Sequence, residues 1–363
     1  MIATRLPAGL ALASAAAISL SGCAAAVVAA PLMAGAGVLK ASKQDRPSKR
    51  DRKRAQQQQQ QQAPQPGEIF TAPDGSKVQV TSLTALPPPT GAPAAPPASG
   101  GNTPAGMQYL YGSGEAAALS LQAYQALWNY LKVEIGYRRD KSQIRSVVLA
   151  PGSTLDNPRF EACGKRPMAV VLDVDETALL NLGYERDEAV RGGSYDAARW
   201  SRWEQTGADK VAAVPGAAEA LAAARREGFT VIFNSNRSVA SAAQTAAALD
   251  HAGLGPADLF DTLWLRGEGE PSGKDARRQK IAQRYCVVAM AGDQLGDFSD
   301  LFNAPDAPVL SRRNSVGGTL LAPLWGAGWF MLPNPVYGTG LKGGVDDIFP
   351  PDTRWTDPGV APR

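Results

Sequence analysis

Four short apolar runs, each leading into acidic, amide or basic side chains, constrain this chain more than any other feature. Met168–Leu172 leads into Asp173-Val174-Asp175-Glu176-Thr177, and Thr230–Phe233 into Asn234, Ser235, Asn236 and Arg237. Leu263–Leu265 precedes a helix start carrying Lys274, and Cys286–Ala291 is followed by Gly292, Asp293 and Asp297. Continuous apolar runs of this length read as parallel strands buried on both faces. Helix signals separate them. Pro215 opens a helix that Gly228 closes, Ser238 caps one that Gly253 ends, and Ser272 begins another. This rhythm predicts an α/β fold, an open parallel sheet with right-handed crossovers. Ligands bind beyond the carboxyl ends of such strands, so the polar groups converge on one edge.

That set suits phosphoryl transfer, which is mostly positioning and charge neutralisation. Asp173 can attack phosphorus, and Asp175 can protonate the leaving alkoxide and then activate water. Carboxylates and a backbone carbonyl suit Mg2+, which lets an anion approach an anion. Lys274 and the Ser235 hydroxyl would hold phosphoryl oxygens. Arg237 either contacts phosphate or braces the loop. The 363 residues contain a single histidine, His251, near a helix end before Gly253. A histidine-nucleophile phosphatase or a multi-histidine zinc site is therefore excluded. The net charge of +3 owes much to the run from Lys40 to Arg54, and does not point to nucleic acid.

In order and placement these residues resemble the four motifs of the haloacid dehalogenase (HAD) superfamily. Asp173-x-Asp175-x-Thr177 resembles the first, Ser235 the second, Lys274 the third, and Gly292-Asp293 with Asp297 the fourth. A closer resemblance is to the bacterial class C acid phosphatases, often outer-membrane lipoproteins, which include lipoprotein 5'-nucleotidases. It rests on Val171 to Asn181, Trp200 and Trp203, Val214-Pro215-Gly216-Ala217, Ser235-Asn236-Arg237, Gly292 to Phe298, and Phe330 to Gly338. It spans roughly residues 107–345. It implies a HAD-like (Rossmann-like) sheet with a small, mostly helical cap, and a magnesium-dependent phosphomonoesterase. Asp173, Asp175 (through its backbone carbonyl) and Asp293 would ligate the metal, with Asp297 in support. It also implies small phosphomonoester substrates such as nucleoside monophosphates, with the base stacked on aromatic rings; Trp200, Trp203 and Tyr337 are the candidates here. A phosphotransferase of the same fold, or a surface lipoprotein that only binds a ligand, are the competing readings.

About sixty residues separate Asp173 from Ser235, more than one crossover needs, which predicts the cap over about 184–213 with help from a helix near Leu121. That helix follows Ser113, a plausible N-cap, and carries Leu121, Tyr124, Trp128, Leu131 and Ile135 at helical spacing. Cys163 and Cys286 precede strands that are neighbours in this superfamily. They could pair in an oxidising compartment, although their offsets from the strand ends differ.

Residues 1–22 read as a signal peptide ending in Leu20-Ser21-Gly22-Cys23, which resembles a lipobox. Cys23 would then be lipidated, placing the chain in the bacterial cell envelope, periplasm-facing or on the outer membrane. The apolar stretch of residues 23–39 with the basic run behind it also permits an uncleaved inner-membrane span. Residues 40–106, with Gln56 to Gln62 and Pro87-Pro88-Pro89, read as a disordered tether, and residues 346–363 as a tail. Tether and apolar stretch depart from the family pattern. The sequence carries no signal for an oligomeric state. Palmitate labelling of the expressed protein should be lost in Cys23→Ala; labelling that persists would rule this anchor out.

Overall fold

The computed structural model describes residues 69–71, 77–79, 103–140, 144–192, 195–304 and 307–359. Cys23 and the leader lie outside them, as does most of the tether. Within the stretch expected to be disordered, β1 (Ile69–Thr71) pairs antiparallel with β2 (Lys77–Gln79). Strands this short give no readable period, which is why composition alone suggested none. No described helix is long and apolar enough to cross a membrane.

The catalytic body begins with α1 (Ala105–Gly112), slightly before the expected onset at Met107, and α2 (Gly114–Arg139). The Ser113 side chain caps α2 by accepting from the Ala116 amide, as its position predicted. The buried line of α2 runs through Tyr124, Leu127 and Leu131; Leu121, Trp128 and Ile135 flank it, half-buried.

The central sheet has the order β11–β10–β5–β8–β9 and is parallel throughout. Its strands are β5 (Met168–Leu172), β8 (Thr230–Ser238), β9 (Leu263–Arg266), β10 (Cys286–Gly292) and β11 (Trp329–Met331). All five residues of β5 are buried. Val170 and Leu172 pack on one face with α2, α5 (Ala217–Arg226) and α6 (Ala242–His251). Ala169 and Val171 pack on the other, with α7 (Asp275–Arg284) and β3 (Arg145–Leu149). Alternation along one strand thus feeds two cores. Each fully buried valine or leucine contributes roughly 1.5–3 kcal/mol. His251 ends α6 and is exposed, as a capping residue would be.

Two features differ from expectation. β8 does not stop at Phe233 but runs on through Ser238, with an irregular register between Asn234 and Ser238 against β9. Its far half is polar because it borders the site, so apolarity alone underestimates it. The helix expected from Ser272 starts at Asp275, with Lys274 as its N-cap residue. The antiparallel pair of β3 with β4 (Phe160–Ala162), and β11, had no sequence signal. The tail contains α9 (Val345–Ile348), which follows α8 (Val309–Gly317).

The cap is mostly helical, as expected. A two-residue antiparallel pair, β6 (Leu179–Leu180) with β7 (Ala212–Ala213), closes its base. Between them run α3 (Leu182–Arg191) and α4 (Ala197–Thr206).

Cys163 and Cys286 form a disulfide with a Cα–Cα distance of 4.6 Å, closing a loop over 123 residues. Cys286 is the first residue of β10 and lies opposite Met168 of β5, so the bond staples the strand base farthest from the site. Cys163→Ser should lower the unfolding free energy by about 3 kcal/mol in a urea titration, mainly through the freed unfolded chain. Reduced wild-type protein should unfold alongside the variant; a reduced protein as stable as the oxidised one would show that the staple is idle.

Candidate active site

β5 is the strand from which the order runs outward in both directions, to β8 and β9 on one side and β10 and β11 on the other. Crossovers leave in opposite senses there, and a crevice opens at the carboxyl end. Asp173 is the first residue past that end, and its backbone amide donates to Ala291 of β10 at 3.0 Å. The chain then turns sharply: Glu176 has a φ of 51°, in the left-handed region. The Tyr124 hydroxyl of α2 holds the turn by donating to the Thr177 carbonyl at 2.7 Å.

Asp173 and Asp175 both line one cleft of about 930 Å3, but they have separate charge partners. Lys274 Nζ lies 2.6 Å from Asp173 Oδ1 and 2.7 Å from Asp297 Oδ1, bridging two carboxylates. Burial would push the Lys274 ammonium down, but Asp173 and Asp297 outweigh it and raise its pKa. Burial drives the Asp173 carboxyl well above the usual carboxylate range; Lys274 opposes this, and Asp297 and Asp293 reinforce it.

Asp175 is gripped on one oxygen. Arg237 donates to its Oδ1 through Nε at 3.0 Å and Nη2 at 2.8 Å, and Asn181 Nδ2 donates to the same atom at 2.9 Å. Arg237 Nη2 also donates to Asn181 Oδ1 at 2.8 Å, closing the triangle. Of the two roles open to Arg237, the structure shows the bracing one. Ser235 is fully buried, does not line the cleft, and reaches Asp175 Oδ2 at 3.4 Å while accepting from the Arg237 amide. It stands behind Asp175.

Asp173, Asp293 and Asp297 offer carboxylate oxygens within 4.8 Å of one another. Asp173 Oδ1 is buried and has no hydrogen-bond partner in good geometry. Asp293 accepts only from neutral groups: Thr177 Oγ1 at 3.1 Å, Asn334 Nδ2 at 2.7 Å and Gln294 Nε2 at 3.1 Å. Its pKa is pushed up to about 7 by burial and by Asp297. Three carboxylates so close, one of them, Asp293, without a cationic partner, fit a hard divalent ion. Asp297 already accepts from Lys274 Nζ and, at 2.9 Å, from the Gln294 amide, which suits the supporting role. The Asp175 side chain is turned to Arg237, so only its main chain is left for a metal.

Around this centre lie residues that sequence reasoning missed. Glu176 is buried and accepts from Tyr111 at 3.1 Å, from the Asn181 amide at 2.9 Å and from the Tyr337 hydroxyl. Burial first, then Asp175, pushes it up to about 8. Glu204 of α4 accepts from Trp200 Nε1 at 2.8 Å and from the Ser238 amide at 3.1 Å, locking the cap to the end of β8. The spacing of Trp200 and Glu204, four apart on a helix, was the one available signal.

The three candidate aromatics separate. Trp200 and Tyr337 line the cleft, joined by Tyr184 and Tyr195. Trp203 does not. It packs against the core beside Gly183 and Gly207, where a Cβ on Gly207 would meet its ring at 2.2 Å, and donates to Asn181 at 3.2 Å.

Comparison with known proteins followed from this geometry. A family described as HAD superfamily, subfamily IIIB (acid phosphatase), matches residues 116–340. Two solved structures of a class C acid phosphatase from Bacillus anthracis share the fold. The one with tungstate bound is 23% identical with a TM-score of 0.51, covering 65% of this chain and 84% of its own. The other is 24% identical, with the same TM-score and coverage.

Trp203→Ala should cost about 3 kcal/mol of stability, the usual scale for a large aromatic removed from packing. Trp200→Ala should cost about 1 kcal/mol and act mainly on KM. Equal losses of stability in thermal unfolding would contradict the division.

Proposed function

The chain belongs to subfamily IIIB of the HAD superfamily, the acid phosphatases, and from that premise we propose that it hydrolyses small phosphomonoesters through a phosphorylated Asp173. It is a phosphoric monoester hydrolase; the intermediate, the metal and the substrate are the reading offered here. The observation that carries it is the division of labour at the end of β5. Asp173 faces a lysine and the carboxylate cluster, whereas Asp175, two residues on, faces an arginine, and both line one cleft.

An Asp173 oxygen attacks phosphorus as the ester oxygen leaves. Lys274 draws charge from the phosphoryl oxygens. Asp175 supplies the proton to the departing alkoxide. Its Oδ1 is pinned by Arg237 and Asn181, so Oδ2 is the oxygen free to carry that proton. In the second half a water attacks the acyl phosphate, and Asp175 Oδ2 takes its proton. Phosphate then leaves and Asp173 is restored. Mg2+, held by Asp173, Asp293 and the Asp175 carbonyl with Asp297 behind, would offset the repulsion between carboxylate and phosphate. Ser235, placed behind Asp175, would keep its Oδ2 oriented and reach phosphate only if the pocket rearranges.

Trp200 and Tyr337 on the cleft wall support substrates with a flat leaving group, nucleoside 5'-monophosphates among them. The Bacillus anthracis relative has been solved with tungstate, an oxyanion, bound, which is in keeping with a phosphate ester as ligand. Export is supported by the disulfide, because such bonds persist in oxidising compartments; the lipid anchor at Cys23 rests on the lipobox-like sequence alone.

With Mg2+, the purified full-length protein should release phosphate from an aryl phosphate. Asp173→Asn should reduce kcat by at least about 10⁴-fold, as for a lost nucleophile. A variant within tenfold of wild type, on an estimate of what mere binding losses give, would end the covalent mechanism.

A further inference from the structure

The acidic residues lining the cleft can be matched to their partners one by one. Asp173 and Asp297 share Lys274, and Asp175 has Arg237. Asp300 accepts from the backbone amides of Lys274 and Asp275 at 2.8 and 2.9 Å. Glu188 pairs with Arg199. Asp293 has its amide and hydroxyl donors and the metal cluster. One is left over. Glu185, on α3, is 5% exposed and lines the cleft, yet its carboxylate has neither ion pair nor hydrogen bond among the described residues. The rest of the residue is packed away, so the carboxylate meets the open cleft, and a ligand that strips its water there would have to supply a partner.

Arg199 offsets the Glu185 charge only in part. Arg199 is committed to Glu188 and lies over the Tyr184 ring at 5.2 Å. Arg266, also on the cleft wall, is exposed. Burial, then Asp175, pushes the Glu185 carboxyl up to about 7, and a cation bound beside it would draw it back down. The walls beside it are aromatic, Tyr184, Trp200 and Tyr337, and tolerate positive charge on their faces.

We propose that Glu185 is a specificity-determining residue that receives a protonated amine or quaternary ammonium on the alcohol of the substrate, so that aminoalkyl phosphomonoesters are the preferred class. This rests on the hydrolase reading and narrows it. The cation completes the charge matching of the cleft, and the amine binds as the leaving group before any bond to phosphorus changes. Glu185 therefore acts through KM.

The test compares phosphoethanolamine with ethyl phosphate, similar in size but without the amine, on the full-length protein with Mg2+ and on the alkaline side of neutrality. An aryl phosphate reports hydrolysis as such. Wild type should favour phosphoethanolamine by roughly tenfold to a hundredfold in kcat/KM, the scale of one charge-assisted contact in a partly dry site. In Glu185→Gln that ratio should fall to within about threefold of unity, the change appearing in KM; the ratio cancels losses common to both esters. A wild-type ratio near one, with the aryl phosphate turned over, overturns this proposal alone, whether or not the variant folds. An unchanged ratio in an active Glu185→Gln protein also overturns it. No turnover of the aryl phosphate overturns the hydrolase reading and this proposal with it.

Discussion

Everything at this site depends on Lys274 standing between Asp173 and Asp297. Without a cation there, three carboxylates would meet within 4.8 Å in a buried crevice, and folding would favour their protonation over their use. Lysine reaches the spot because it is the N-cap residue of α7, where the chain returns to the sheet beside β10. Arg278 then bolts the same helix to the loop behind the site, donating to the carbonyls of Gly296 and Asp297 at 2.9 and 3.0 Å. The ammonium is thus delivered by a rigid element rather than by a flexible stem alone.

Charge is segregated along the chain as well as in space. Cations come from β8 and α7, carboxylates from the ends of β5 and β10, and neutral amides from Asn181 in the cap base and Asn334 beyond β11. No short segment carries a compensated set, so the site exists only when the sheet does. The cap takes part too, since Glu204 ties Trp200 to Ser238, one residue past Arg237.

The sequence was legible where chemistry sits next to a hydrophobic period. Asp173, Asp175, Asp293 and Asp297 directly follow buried strands, and Lys274 opens a helix, so their convergence could be read from spacing. The far half of β8 was not legible, because it is a strand made of site residues. Nor were β3, β4 and β11, whose three to five residues carry no period. Trp200 and Trp203 are three apart on one helix and look alike in sequence. What separates them is Gly207, one turn after Trp203, and Gly183, twenty residues before it, which leave room for one ring and not the other. Glu185 looked like any helix glutamate; only its burial without a partner marks it.

The segment after β11 folds back to the centre: Asn334 reaches Asp293, and Tyr337 reaches Glu176. Asn334 lies 41 residues after Asp293 in the chain, and Tyr337 lies 161 after Glu176. A chain halted before residue 334 has Asp173, Asp175 and Lys274, but lacks the amide that donates to Asp293. Competence therefore waits on this distant segment, so fragments that stop short of it carry an unfinished catalyst.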